Sequence, residues 1–353
     1  MIRLRRYLWR AVMVPTLGLL FVLIVLNSLF ALLHELEWLS EQYQAWQAVM
    51  FVLTTSPRTL VEFMPMAILL GTLLGLGLLA NSSELTVLRA AGVSTMRISW
   101  MVMRPAIFLL LVSALVGEYL APYTEQVAQS NRALAESGGQ ALKSKYGYWH
   151  REGEEFIHIN AVQPNGVLYG VTRYRYDAED RLTETLFIQR AIFQGDHWFM
   201  EGISGSRLAD QQVTAYRQDT GVWETSLTPQ VLATVILKPE HLALAKLKEY
   251  ADYLSRQGLE AGEYWLAFWQ KLLQPLATLG MVLVATSFVF GPLREVTMGL
   301  RMTAGIATGL LFHYGQQFFG HMSLVFDTSP LFAATVPTVI CVFAGLVMLV
   351  RAR

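Results

Sequence analysis

Residues 107–126 read IFLLLVSALVGEYLAPYTEQ and pass from an unbroken apolar run to polar sequence at about Tyr123. From there to about Gly262 the chain is polar, and on both sides of that region it is strongly apolar. A membrane-spanning helix needs about 20 mostly apolar residues. The pattern therefore predicts two groups of membrane helices separated by a domain that lies in water.

The apolar regions contain six stretches of sufficient length, at 11–33, 59–80, 99–121, 267–290, 300–320 and 330–350. We therefore expect three spans in residues 1–122, an aqueous domain in residues 123–262 and three spans in residues 263–353. Charged residues make up 15% of the chain, below the roughly 25% of soluble proteins. The net charge of +0 provides no general basic field, so no nucleic-acid partner is expected.

The basic residues of the short loops predict the orientation, because lysine and arginine collect on the cytoplasmic side of a membrane. One side of the predicted membrane has Arg3, Arg5, Arg6, Arg10, Arg89, Arg97, Arg104, Arg294, Arg301, Arg351 and Arg353, and the short loops of the other side have Arg58. We expect both termini in the cytoplasm and the central domain in the periplasm of a bacterium, with the chain in the inner membrane. The first apolar run is too long for a signal peptide and is interpreted as a retained anchor.

The central domain has the pattern of a β-structure from Tyr148 onward. Apolar and polar residues alternate in Phe156-Ile157-His158-Ile159, and turn signals such as Pro164-Asn165-Gly166 recur at regular spacing. We expect a jelly-roll-like module. Its interior could hold an acyl chain, or its aromatic residues could simply fill a core. Residues 240–257 change to helical spacing before Gly258 and predict a helical tether to the fourth span.

The loop between spans two and three contains ELTVLRAAGVS, residues 84–94. Ser82 or Ser83 can cap a helix start and Gly92 can end the helix, so we expect a short cytoplasmic helix at about 82–97. An acidic residue followed by small residues and a glycine resembles the coupling helix of ABC-transporter permeases, which docks on an ATPase. An ordinary connecting helix is the alternative.

Catalytic motifs are missing from the sequence. No G-x-x-x-x-G-K-[ST] phosphate loop and no G-x-S-x-G elbow occurs, and the seven histidines are scattered without metal-ligand spacing. We therefore expect no enzymatic activity and no metal site in this chain. Any ATP hydrolysis has to come from a separate partner.

Small residues are spaced for helix packing at Gly71, Gly75 and Gly77 in span two and at Gly305 and Gly309 in span five. Glycines four residues apart let two helices approach closely. The approach could be within the chain or to another subunit.

Two arginines are predicted near the outer membrane surface, Arg58 before span two and Arg132 after span three. A guanidinium group can hold a phosphate through two parallel hydrogen bonds. A phosphorylated lipid is one possible ligand, and an ordinary anchor at the membrane surface is the alternative.

Three further segments resemble a known family, and the similarity extends along the whole chain. The run FMPMAILLGTLLGLG at 63–77, the loop Ser83-Glu84-Leu85 and FVFGPLR at 288–294 are similar to the lipopolysaccharide export permeases LptF and LptG. Within that family, residues 288–294 and the end of the tether, 253–262, are more similar to the LptG branch. The LptF-type paralogue is the alternative within the family, and a membrane receptor or scaffold with a periplasmic ligand-binding domain is the alternative outside it.

The resemblance implies a transporter in which this chain pairs with an LptF-like permease subunit around a lipid cavity. It also implies a dimeric LptB-like ATPase that uses ATP and magnesium, and an LptC-like single-span protein. The cargo would be lipopolysaccharide, extracted from the outer leaflet of the inner membrane and passed to a periplasmic bridge.

The resemblance also implies roles for individual residues. The ATPase would contact the helix carrying Glu84, Leu85, Leu88, Arg89 and Gly92, and the lipid phosphates would contact Arg58 and Arg132. The lipid cavity would be lined partly by Phe21, Leu26, Phe312 and Phe319. The chain departs from the family where lysines are expected near the outer end of span one, because Ala31–Glu41 contains Glu35, Glu37 and Glu41 and no lysine.

Overall fold

The computed structural model describes residues 2–39, 43–137, 148–163, 166–177, 179, 181–209, 212–225, 227–229, 232, 238–256, 260–291 and 296–351. The chain divides into two compact units. The first, the helical unit, consists of Met1–Asn27, Pro57–Leu120 and Leu242–Arg353. The second, the sheet unit, consists of Ser28–Ser56 and Ala121–His241.

The described helices are α1 Ile2–Leu36, α2 Ala45–Asn81, α3 Glu84–Ala90, α4 Thr95–Leu115, α5 Ala121–Ser137, α6 Leu244–Arg256, α7 Gly262–Phe290, α8 Met298–Val325 and α9 Pro330–Arg351. A π-helical turn, Val116–Leu120, joins α4 to α5. The strands are β1 Tyr148–Glu152, β2 Glu155–Val162, β3 Val167–Tyr176, β4 Leu182–Phe193, β5 Trp198–Ala209 and β6 Gln212–Trp223.

Five of the described helical segments are long and apolar enough to cross a membrane: α1, α2, the continuous segment Thr95–Arg132, α7 and α9. Helix α8 occupies the position of the predicted fifth span but is less apolar, because His313, Gln316, Gln317 and His321 lie within it. The prediction of apolar helices around an inserted β-domain is thus confirmed in outline. Apolarity alone supports five of the six predicted spans among the described residues and does not confirm α8.

Helix α2 differs from the sequence-based prediction at its start. It begins at Ala45 rather than near residue 59, so Arg58 lies inside the helix and not in a loop. Proline lacks an amide donor and usually disrupts the interior of a helix. The helix continues through Pro57, and the Ser56 hydroxyl donates a hydrogen bond to the Val52 carbonyl at 3.0 Å.

Helices α1 and α2 lie in direct backbone contact within the helical unit. A Cβ atom on Gly75 would lie 2.1 Å from the Ala11 carbonyl oxygen, and one on Gly71 would lie 2.1 Å from the Thr16 hydroxyl oxygen. Toward the other end of the pair, Asn27 donates a hydrogen bond to Thr59 at 3.5 Å. The partners run in opposite order along the two helices, which makes the pair antiparallel.

Helix α8 packs on another part of α2. A Cβ atom on Gly305 would lie 2.2 Å from a Leu73 methyl carbon. At the start of α8 the buried Arg301 donates hydrogen bonds to the Gly77 carbonyl at 3.2 Å and to the Asn81 side chain at 3.1 Å. These contacts satisfy a guanidinium that would be costly to bury alone. The glycines of both spans therefore serve packing within this chain.

The tether helix α6 is fixed to two neighbouring segments of the helical unit. The Glu118 carboxylate, in the π-helical turn, accepts hydrogen bonds from the backbone amides of Leu244 and Ala245 at 2.7 and 3.1 Å. A carboxylate at this position satisfies amides that have no partner within the helix. Lys271 of α7 donates to the carbonyls of Gly117 and Leu242 at 3.2 and 2.7 Å.

The described strands form one antiparallel sheet in the order β1-β2-β3-β4-β5-β6. This is a meander, in which each strand pairs with the next one along the chain. A jelly roll has two packed sheets with crossing connections, so that prediction is not confirmed by the described strands. Trp198, the first residue of β5, is fully buried, and its indole nitrogen donates to the Leu227 carbonyl at 2.7 Å.

A row of alternating charges crosses four strands of the sheet. Glu155 pairs with Arg175 at 2.6 Å, Arg175 with Glu184 at 3.1 Å, and Glu184 with Arg207 at 2.9 Å. We call these four residues the charge ladder. Side chains two residues apart share a face of a strand, so the ladder lies on the face that carries the buried Ile157 and Ile188.

Replacing Gly75 by alanine is expected to destabilise the helical unit. The added Cβ would overlap the Ala11 carbonyl oxygen, and the backbones would have to separate, at a cost of about 1–3 kcal/mol. Gly18→Ala is the control, because nothing lies within 4 Å of a Cβ there and alanine favours a helix. Thermal unfolding in detergent measures both variants, and equal melting temperatures would contradict the close approach.

The charge ladder is expected to lose stability in acid. Burial raises the pKa of Glu184, but hydrogen bonds from Arg207 and Tyr216 and the charges of the nearby arginines lower it by more. The net result is a pKa below the ordinary 4.5. In acid the unfolded chain therefore protonates Glu184 more readily than the folded chain does. The ladder's contribution to folding stability is present above the unfolded pKa of about 4.5 and is lost as the pH falls through the lower folded pKa.

Glu184→Gln should therefore lower the melting temperature at pH 7 and change it less at pH 3. Glu201→Gln is the control, because its carboxylate makes a longer contact of 3.5 Å with Arg190. A Glu184→Gln effect of the same size at both pH values would show that the ladder does not cause the acid sensitivity.

Candidate functional site

Helix α3 is short because of the backbone at its end. Gly92 adopts a φ of 83°, a left-handed conformation that suits glycine. The amides of Gly92 and Val93 donate to the carbonyls of Arg89 and Leu88, both at hydrogen-bonding distance, which closes the helix as a Schellman motif. The predicted stop at Gly92 is therefore confirmed, but the predicted bounds of 82–97 are too wide for this helix. The Ser94 hydroxyl accepts from the Arg97 amide and begins α4 instead.

One face of α3 is buried and the other is free to contact a protein. Leu85 lies in the buried cluster of the helical unit together with Leu8, and Leu88 packs against that cluster. Arg89 and Gly92 are exposed, and the Val87 side chain on the same helix is 66% exposed. An exposed apolar side chain beside an arginine is suited to an interface.

The Glu84 carboxylate is held by two hydroxyl groups. The Tyr7 hydroxyl of α1 donates to one oxygen at 2.5 Å, and the Ser82 hydroxyl donates to the other at 2.9 Å. Ser83 precedes the helix, but its side chain makes no capping hydrogen bond. Ser83 is thus the residue before the helix, as predicted, but without a side-chain capping bond, and the Ser82 hydroxyl bonds Glu84 and the Leu79 carbonyl.

Arg132 lies in a buried ion pair within the sheet unit. Its guanidinium is 2.9 Å from the Glu35 carboxylate, and the two side chains are 11% and 4% exposed. The Tyr43 hydroxyl donates to the other oxygen of Glu35 at 3.0 Å. The guanidinium also lies over the Phe51 ring, 5.2 Å from its centre. A phosphate at Arg132 would have to share the guanidinium with Glu35 or displace it.

A cavity of about 490 Å³ opens beside this pair in the sheet unit. Its walls come from α2 and α5 and the residues before α2. They consist of Tyr43, Trp46, Gln47, Met50, Phe51, Thr54, Ala128, Asn131, Arg132, Leu134 and Ala135. Apolar and aromatic groups alternate with hydrogen-bonding groups, so the cavity suits an amphipathic ligand.

The remaining predicted site residues lie on three helices. Arg58 is half-buried in α2, within the helical unit. Phe21 and Leu26 are 68% and 48% exposed on α1, whereas Phe312 of α8 packs against the buried helical cluster. Phe319 is half-buried and contacts the Phe318 ring at 5.9 Å. The roles predicted for these residues stay predictions.

The polar residues of α8 bond to one another along the helix. The side chains of His313 and Gln317 are 3.2 Å apart, and the His321 ring nitrogen lies 2.8 Å from the Gln317 carbonyl. His313 and Gln317 are both exposed in the isolated chain. Their polar edges are available to a wet cavity or to another subunit.

Sequence reasoning missed Tyr7 and the pairing of Glu35 with Arg132. Both contacts join residues far apart in the chain, 77 positions in the case of Tyr7 and Glu84. Glu35 did carry a signal, because it is an acidic residue at the end of an apolar run and had to be paired or exposed. Glu41 lies outside the described residues, as do Pro164, Asn165, Gly258 and Arg294.

The comparisons with known proteins cover almost the whole chain. Residues 6–351 match the family described as lipopolysaccharide export system permease LptF/LptG. The lipopolysaccharide export system permease protein LptG of Escherichia coli is 36% identical over 352 residues, which are 99% of this chain and 98% of that protein. The protein of the same name from Haemophilus influenzae is 33% identical over 340 residues, covering 96% of this chain and 95% of that protein.

Glu35→Gln is expected to lower the free energy of unfolding by about 3 kcal/mol, because Arg132 then loses its carboxylate partner in a buried position. Glu37→Gln is the matched control, since that side chain is 74% exposed. Adding Arg132→Gln should recover part of the loss, because the second change removes the buried charge. Chemical denaturation in detergent is measured for the unchanged chain, Glu35→Gln, Arg132→Gln and the double variant, with Glu37→Gln alongside. Additive losses in the double variant would contradict a direct pair.

Proposed function

This chain belongs to the lipopolysaccharide export permease family LptF/LptG, and from that membership we propose that it is the LptG-type membrane subunit of an ABC transporter for lipopolysaccharide. The family predicted from residues 63–77, 83–85 and 288–294 is thereby confirmed. The observation that carries the proposal is the match over nearly the full length to proteins named LptG. In the proposed activity, the complex extracts lipopolysaccharide from the outer leaflet of the inner membrane and passes it to a periplasmic bridge.

The proposed topology has six spans, with α8 as the fifth, and both termini in the cytoplasm. The arginines at the predicted cytoplasmic side support this orientation. A less apolar fifth span is compatible with a membrane if its polar face meets protein or water rather than lipid. The sheet would then lie in the periplasm, and we keep jelly-roll-like closure of its apolar face as part of the proposal.

Partner proteins are a necessary part of the proposal. Transfer of an acyl chain out of the bilayer exposes methylene groups at about 0.8 kcal/mol each. A lipid with several acyl chains therefore cannot leave by passive equilibration, and external work is required. The sequence has no phosphate loop, so we assign ATP and magnesium to a dimeric LptB-like ATPase. The chain itself would be a non-catalytic subunit.

Helix α3 is the proposed contact with the ATPase. Leu85 and Leu88 attach the helix to the helical unit, whereas Arg89, Gly92 and the Val87 side chain remain accessible. When nucleotide binding closes the ATPase dimer, its movement would be transmitted to α3 through Glu84. A helix that is fixed on one face and exposed on the other is well suited to transmit such a movement.

The lipid cavity is proposed to form between this chain and an LptF-like subunit. In the most apolar part of α1 only 11% of the residues are buried, compared with 67% in α2. The exposed face with Phe21 and Leu26 therefore needs lipid or a partner against it. Phe312 and Phe319 would line the cavity from α8, and Arg58 and Arg132 would contact lipid phosphates. An LptC-like single-span protein completes the proposed complex.

Glu84→Ala is expected to reduce ATP-dependent lipid release by tenfold or more, because the ATPase loses its charged contact, at about 1.5–3 kcal/mol for a hydrogen bond to a charged group. Proteoliposomes containing the chain, an LptF-like subunit and the ATPase provide the measurement. Thr86→Ala, an exposed position of the same helix, is the control. Unchanged release in Glu84→Ala would remove Glu84 from the coupling path.

A further inference from the structure

Glu84 is bound by two hydroxyl groups of different origin. Ser82 lies two residues away in the same loop, so its hydrogen bond is local. Tyr7 belongs to α1, and its hydrogen bond at 2.5 Å joins two segments that are 77 positions apart in the chain. The same carboxylate is thus attached both to its own loop and to another helix.

The attachment to α1 is supported by packing on either side of it. Leu8, next to Tyr7, is fully buried in the cluster that contains Leu85, whereas the Tyr7 side chain itself is 46% exposed. The backbones of α1 and α2 are in contact at Ala11 and Gly75, about one turn further along α1. Tyr7 therefore lies on a part of α1 whose position relative to Glu84 is fixed.

Helix α1 is continuous from Ile2 to Leu36. A displacement at its first turns would pass Pro15, which lies within the helix, before it reached the exposed side chains of Phe21 and Leu26. A hydrogen bond from a neutral hydroxyl to a carboxylate is stronger than one between two neutral groups. The bond orients Glu84 toward α1.

We propose that Tyr7 is a positioning residue that couples Glu84 of α3 to α1, so that a displacement of α3 moves the helix whose outer face meets the lipid. The inference rests on the proposed function, since it assumes that an ATPase displaces α3. Tyr7 acts through Glu84 and touches neither nucleotide nor lipid.

The test compares Tyr7→Phe with Ser82→Ala. Each substitution removes one hydroxyl donor from the same carboxylate, but only the first breaks a connection between helices. Phenylalanine keeps the ring of a half-exposed side chain, so the fold is expected to remain intact. The complete complex with the ATPase and the second permease subunit is reconstituted in proteoliposomes. Co-purification of the ATPase, ATP hydrolysis and lipopolysaccharide released per ATP are then measured.

Tyr7→Phe should retain the ATPase and its hydrolysis but release at least about tenfold less lipid per ATP, the size expected for the loss of one hydrogen bond to a charged group. Ser82→Ala should release lipid as the unchanged protein does. On a Glu84→Gln background, Tyr7→Phe should have little additional effect, because both substitutions weaken the same bond.

Three results would overturn the proposal. Normal release per ATP in Tyr7→Phe, with release lost in Glu84→Ala, refutes the role of Tyr7 and leaves the proposed function intact. Equal losses in Tyr7→Phe and Ser82→Ala show that the connection between helices is not what matters, and loss of ATPase binding in Tyr7→Phe shows a docking role instead. Normal release in Glu84→Ala contradicts the coupling step of the proposed function itself.

Discussion

The helical unit depends on the direct approach of α1 to α2 at Gly71 and Gly75. Any side chain at Gly75 would occupy the space of the Ala11 carbonyl. Helices in a bilayer gain little from apolar burial, because lipid is as apolar as their side chains, and close packing has to hold them instead. The crossing also determines the register of the two helices. Their antiparallel register brings the start of α1 beside the end of α2, where Tyr7 meets Glu84.

The two units are stabilised by different interactions. The helical unit uses small residues and a few buried hydrogen bonds, such as those of Arg301 and Lys271 to backbone carbonyls. The sheet unit has an apolar core around Trp198 and a charge ladder on the same face. This difference follows from the surroundings proposed for the two units, since water supplies a hydrophobic driving force and hydrocarbon does not.

The sequence predicted elements better than contacts. Apolar runs and alternating residues have a length and a period, so they indicate helices and strands directly. The start of α2 was mispredicted, because the helix extends through Pro57 back to Ala45. The stop at Gly92 was predicted, but the bounds of 82–97 for the cytoplasmic helix were too wide. The pairing of Glu35 with Arg132 and of Tyr7 with Glu84 depends on tertiary packing. No local pattern encodes which distant residue a buried polar group will meet.

The Glu35 and Arg132 pair has a consequence for recognition at the cavity beside it. The guanidinium is already balanced by a carboxylate of the same chain, so the cavity presents hydrogen-bonding groups with little net charge. Salt screens attraction between separated charges much more than it affects a buried pair. A lipid phosphate would therefore be attracted less strongly to Arg132 than to a guanidinium without a carboxylate beside it, and selection of the ligand would depend more on its shape and its donors and acceptors.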